Sequence, residues 1–277
     1  MIANCYQISD EPQLIPLAAN EIVPACKDSG TATWLDLQSD DDNEMEAWLN
    51  KVGAGDLARR LSLESRDRSG FYPLKNEIFL SIPVLADSEG TRVADHIALL
   101  CKENLLITLH RKTIFTSQQI ADLQESESWL PIGTIAALIS AMMIDFSRQC
   151  REHGSDLRVS ILALEERMDE DPETVEAEEI LDRRAELVTL GAVISDQLPC
   201  VQSLSTTDKS FFKLTDAKEY MSCALTNLQA TDRSMEWLDQ RITALRSGFQ
   251  MHAQEKTNRR LNMLTILSAI FMPITLL

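Results

Sequence analysis

The sequence predicts an α+β protein in which a strand-bearing amino-terminal region gives way to long helices. Three observations predict it. Short β-branched and aromatic runs are confined to the residues before about 115, where they alternate with helical stretches. From about Ser117 onward the β character vanishes and helical periodicity takes over. The sequence then closes on an uncharged apolar run, Leu261 to Leu277, directly after the basic residues Lys256, Arg259 and Arg260.

In the amino-terminal region, Thr33-Trp34-Leu35-Asp36-Leu37 alternates as a strand does. Asp40-Asp41-Asp42 offers cap residues for a helix carrying Met45, Trp48 and Leu49 on one side, and Gly53 and Gly55 punctuate its end. Ile78 to Leu85 reads as a largely buried strand. Pro83 within it cannot donate to a ladder, so an edge or a bulge is expected there. His96 to Leu100 and Leu105 to His110 form a hairpin around Lys102-Glu103-Asn104.

Pro131 to Met168 reads as one long helix, broken after Asp169-Glu170-Asp171-Pro172, and Glu173 to Leu204 as a second. The turn between them is acidic, with Glu165, Glu166, Asp169, Glu170, Asp171, Glu173, Glu176, Glu178 and Glu179. A solvated helix-hairpin tip is the first reading of such a run, and a weak cation-attracting surface the second. The third helical segment is the most regular. Leu214, Met221, Leu228, Met235, Ile242 and Phe249 recur at steps of seven, with Ala217, Ala224, Thr231, Leu238 and Leu245 three residues after the first five. No proline interrupts it from Leu214 to Met272. A helix of roughly 60 residues would be about 90 Å long. Its stripe must therefore be covered by copies of itself or by the two preceding helices, with small residues at 217, 224 and 231 permitting close approach.

Charge and composition exclude several functions. Forty-three acidic residues against 26 basic ones give a net charge of −17, which repels a phosphate backbone and argues against nucleic acid as partner. The six cysteines, at 5, 26, 101, 150, 200 and 223, form no tight pair in sequence, and the four histidines are scattered, so neither a zinc site nor a disulfide framework is supported. The amino terminus has no basic or apolar leader segment. No nucleophile elbow, zinc-protease or phosphate-loop motif occurs, which leaves no enzyme signature. Asp36 and His110 are conceivable active-site residues, with satisfied structural polar groups as the stronger reading of both. The apolar tail, at roughly 1.5 Å per residue, reaches about 25 Å, close to the roughly 30 Å bilayer core. With the basic cluster before it, the positive-inside tendency places residues 1–260 in the cytoplasm.

The tail from Asn258 to Leu277 resembles the start of the first membrane helix of the CorA family of divalent-cation channels. Asn258, Leu264-Thr265 and Phe271-Met272-Pro273 carry the likeness. Upstream, Trp34-Leu35-Asp36 and Leu106-Ile107-Thr108-Leu109-His110 resemble strands of that family in the right order. The resemblance implies a homopentamer in the cell inner membrane, with an αβα domain over residues 1–130 and an acidic-tipped helical hairpin over 131–210. A stalk helix over 211–260 would then run into a truncated pore-lining segment over 261–277. It implies pore-facing positions at Asn258, Leu261, Leu264, Ser268, Met272 and Thr275, membrane-interface basic residues at Lys256, Arg259 and Arg260, and no required cofactor beyond Mg2+ or another divalent ion as cargo and regulator. The family's stalk carboxylates fall on Cys223 and Ser247, which are not acidic; Asp216, Glu219, Asp232 and Asp239 are the nearby candidates for a metal. A zinc transporter of the same architecture is the alternative ion reading. A membrane-tethered coiled-coil protein without conduction is the alternative class.

Overall fold

In the computed structural model the described residues are 1–9, 14–28, 30–64, 68–88, 91–112, 114, 133–214 and 217–274. Strands β1 (Ile2–Ile8), β2 (Leu14–Pro16), β3 (Thr33–Gln38), β4 (Gly70–Pro73), β5 (Ile78–Ser88), β6 (Thr91–Cys101) and β7 (Leu105–His110) form one seven-stranded sheet of order β2-β1-β3-β7-β6-β5-β4. Helices α1 (Ile22–Lys27), α2 (Asp42–Lys51) and α3 (Asp56–Glu64) lie between the early strands. The long helices α4 (Ile135–Glu170), α5 (Ala177–Ser205) and α6 (Lys218–Ile274) follow, with a 3-10 turn at Pro172–Thr174 between the first two. The helix start expected at Pro131 lies outside the described residues.

The chain forms two compact units. One comprises Met1–His153 with Thr189–Asp232, the other Gly154–Val188 with Arg233–Leu277.

Within the first unit, β3 and β7 pair in parallel and every other neighbouring pair is antiparallel. Residues Thr33 to Leu37 and all of β7 are buried, which requires cover on both faces of the sheet. Leu35, Leu37, Leu105, Ile107 and Leu109 face one apolar cluster with Ile22 of α1, Met45 and Leu49 of α2 and Ala58 of α3. At α5, Gln197 donates through Nε2 to the Pro83 carbonyl at 2.7 Å. Helices on both sides of a sheet make the αβα sandwich that the resemblance implied.

Local chemistry accounts for the element ends. The Asp41 carboxylate accepts from the Asn43 amide at 2.8 Å and caps α2. Gly53 takes φ 71° just beyond that helix, where a side chain would be strained. Pro83 pairs with His96 in unbroken register, and β4 covers β5 only from Ile78 to Ser81, so the proline sits where β5 is an edge. No bulge is needed.

Alternation along β3 and β7 puts Trp34, Asp36 and Thr108 on the opposite face from Leu35 and Ile107. There they form a buried polar chain. Trp34 donates through Nε1 to Thr108 Oγ1 at 3.0 Å, Thr108 donates to Asp36 Oδ1 at 2.5 Å, and His110 Nε2 lies 2.8 Å from the same carboxylate oxygen. His110 Nδ1 faces the Lys112 carbonyl at 2.5 Å. Both ring nitrogens thus face acceptors, and the imidazolium satisfies both. Burial alone would lower the His110 pKa, but the Asp36 hydrogen bond and charge, the Lys112 carbonyl and Asp95 outweigh it, and the net shift is upward. Asp36 and His110 are therefore partners in a structural pair, 4% exposed each, that ties the two parallel strands together.

This pair predicts a pH signature. A histidine whose pKa is raised on folding stabilises fully below its unfolded value near 6.5 and loses that contribution as pH rises through the folded value. His110→Gln should lower the unfolding free energy by about 3 kcal/mol at acid-side pH, and the deficit relative to wild type should shrink as pH rises. Urea titrations across pH read this directly; a deficit that grows with pH contradicts it.

Candidate functional site

Helix α6 carries all the candidate pore-facing residues whose backbone is described. Its heptad stripe is buried: Met221, Ala224 and Leu228 in the first unit, and Met235, Leu238, Ile242 and Leu245 in the second. In the first unit Asn227 donates to Ser147 of α4 at 3.4 Å. Of the two covers that the sequence allowed, copies of the chain or its own preceding helices, the stripe is buried within the single chain through Leu245.

Beyond Leu245 the helix changes character. Met251 is 68% exposed, Leu261 55%, Leu264 59%, Ile266 61% and Ile270 53%. Asn258, Leu261, Leu264, Ser268 and Met272 follow one another at steps of three, three, four and four, which confines them to about 120° of a helix with 3.6 residues per turn. Ile270 projects from roughly the opposite side. Asn258, Leu261, Leu264 and Ser268 are exposed. Thr275 lies outside the described residues. Thr265, on the same face, donates its hydroxyl to the Leu261 carbonyl at 2.9 Å.

The second unit also joins the basic cluster to the acidic hairpin tip. Lys256 Nζ lies 2.7 Å from Glu173 Oε1, and this hydrogen bond and charge hold the Glu173 carboxyl below its usual pKa. Arg259 reaches Glu255 at 3.7 Å within its own helix, and Arg260 is exposed. Further along the hairpin, Arg167 binds Glu179 at 2.7 Å and lowers its pKa. Arg241 Nε grips both oxygens of Glu165 at 2.8 and 2.9 Å while its guanidinium stacks 4.7 Å from the Trp237 ring centroid. Arg158 approaches the same ring at 5.2 Å. The tip is thus more than a solvated charge run, because three of its carboxylates are neutralised by cations of the same unit. The Glu165–Arg241 contact spans 76 residues and left no short-range trace in the sequence. The Glu173–Lys256 contact had one signal, an acidic run and a basic run of opposite sign.

The metal candidates are not brought together. Glu219 is exposed in the first turn of α6, Asp232 is half-buried, Asp239 is exposed, and Asp216 lies outside the described residues. Among the described residues no three histidine, cysteine, aspartate or glutamate side chains converge. Cys223 is exposed, and the Ser247 hydroxyl donates to the Thr243 carbonyl at 3.0 Å.

A CorA-like Mg2+ transporter family model matches residues 29–277, which is most of the chain and includes all of α6. The chain belongs to the CorA-like family. Solved structures agree in fold. A full-length CmaX protein superposes with TM-score 0.83 at 17% identity, over 98% of this chain and 84% of that one. The CorA magnesium transporter from Methanocaldococcus jannaschii gives TM-score 0.77 at 15% identity, over 98% and 83%. The ZntB cytoplasmic domain from Vibrio parahaemolyticus RIMD 2210633 gives 0.70 at 12%, over 92% and 100%. No curated relative matches the sequence.

One described helix of this CorA-like chain passes the length and hydropathy test for a membrane span, and it is α5, not α6. Gln197 bonds to the Pro83 carbonyl and both Gln197 and Cys200 are buried, so the part of α5 from Thr189 onward packs on the sheet of the first unit. The apolar end of α6 runs into residues 275–277, which are not among those described.

The change of character along α6 predicts two different substitution costs. Leu238→Ala empties a fully buried site and should lower the unfolding free energy by about 3 kcal/mol. Leu261→Ala removes an exposed side chain and should change it by less than about 0.5 kcal/mol. Denaturant midpoints of the two variants test this, and equal costs would place Leu261 in a core.

Proposed function

We propose that this chain forms the cytoplasmic part and the beginning of the pore-lining helix of a divalent-cation channel, with Mg2+ as the preferred ion. The supporting observation is α6 itself: one unbroken helix whose apolar stripe is buried to Leu245 and whose later face exposes Asn258, Leu261, Leu264 and Ser268. In this reading copies of the chain surround a common axis as a homopentamer in the inner membrane, with residues 1–260 cytoplasmic and Lys256, Arg259 and Arg260 at the interface. Each pore-facing residue then becomes a ring. Leu261, Leu264 and Met272 rings constrict apolarly and block by dewetting, because a hydrated divalent ion does not shed its water there. Asn258, Thr265 and Ser268 supply oxygens between the apolar rings. The Thr265 hydroxyl already donates within its own helix, so its lone pairs are what it offers outward.

Oxygen donors of this kind suit a hard ion that stays partly hydrated, which favours Mg2+ over Zn2+. The structural likeness to a ZntB domain is the observation that keeps zinc as the second reading. Carboxylates such as Glu219, Asp232 and Asp239 would act in ion sensing only where a neighbouring copy completes the ligand set.

Two outcomes are expected from full-length protein in liposomes. Leu264→Asp should wet the constriction and raise cation leak at least several-fold, whereas Ile270→Asp, on the other side of the helix, should impair insertion without a gain of flux. Identical behaviour of the two removes the pore-facing assignment. Millimolar Mg2+ should protect the protein from proteolysis. Protection by micromolar Zn2+ but not by Mg2+ makes the zinc reading the better one.

A further inference from the structure

We draw no further inference here: the strongest candidate, the cleft of about 350 Å³ that Ser39, Asp40, Asp41, Glu44 and Arg111 line at the carboxyl ends of β3 and β7, carries nothing, because Asp41 caps α2, Glu44 accepts from Ser39 and pairs with the Met1 amine, and the acidic cluster that remains has nothing in the structure that points to a ligand.

Discussion

The constraint on which the rest depends is that one uninterrupted helix has to satisfy two unlike surroundings. From Met221 to Leu245 its heptad stripe is core, sealed against neighbouring helices with exposures of 6% or less. From Met251 to Phe271 its apolar side chains are exposed. A helix cannot end in the middle of that change without leaving four carbonyls unpaired in an apolar stretch. Continuity of backbone hydrogen bonding therefore keeps the buried part and the exposed part in one helix. Hydroxyls on its later turns conform: Thr257 donates to Ala253 and Thr265 to Leu261, both at 2.9 Å. Polar side chains that close bonds inside their own helix impose little demand on what surrounds them.

Long-range charge is the second organising force. The chain carries −17 overall, so any basic cluster is conspicuous, and Lys256, Arg259 and Arg260 lie where the helix turns apolar. Lys256 is not left to solvent but meets Glu173 of the hairpin tip. Exposed pairs of this sort contribute little to stability and are screened by salt. Their consequence is geometric, since they hold an acidic tip and a basic helix segment together within the same unit. An acidic surface overall also raises the local concentration of cations by several-fold at low ionic strength.

Legibility from the sequence followed the range of the interaction. Periodicity reported the long helices to within a few residues, because a helix is fixed by neighbours three and four positions away. The α2 cap at Asp41 and the glycine end at Gly53 were readable for the same reason. Strand β1 and helices α1 and α3 left no clear pattern. Ile2–Ile8 mixes exposed and buried positions, and its partners lie 30 or so residues downstream in β3. The stripe on α6 was visible, but what covers it was not, since a heptad pattern is equally satisfied by another copy or by the same chain. Asp36 and His110 were recognisable as unusual polar residues on strands; that they answer each other across β3 and β7 is a fact of parallel pairing at a separation of 74 positions.

The candidate pore face illustrates where such reading ends and energetics takes over. Spacing alone groups Asn258, Leu261, Leu264, Ser268 and Met272 on one side, and the same arithmetic would hold for any amphipathic surface helix. Amphipathicity does not explain this one, because Ile266 and Ile270 on the remaining sides are as exposed as Leu261 and Leu264. A helix apolar all round is stable only where every side is covered by something apolar, either protein or lipid. Polar interruptions are tolerated only where they satisfy themselves or face a wetter lumen. Ser268 and Asn258 share a face with Leu261 and Leu264, not with Ile266 and Ile270, and the proposed lumen-facing side requires polar groups on that face.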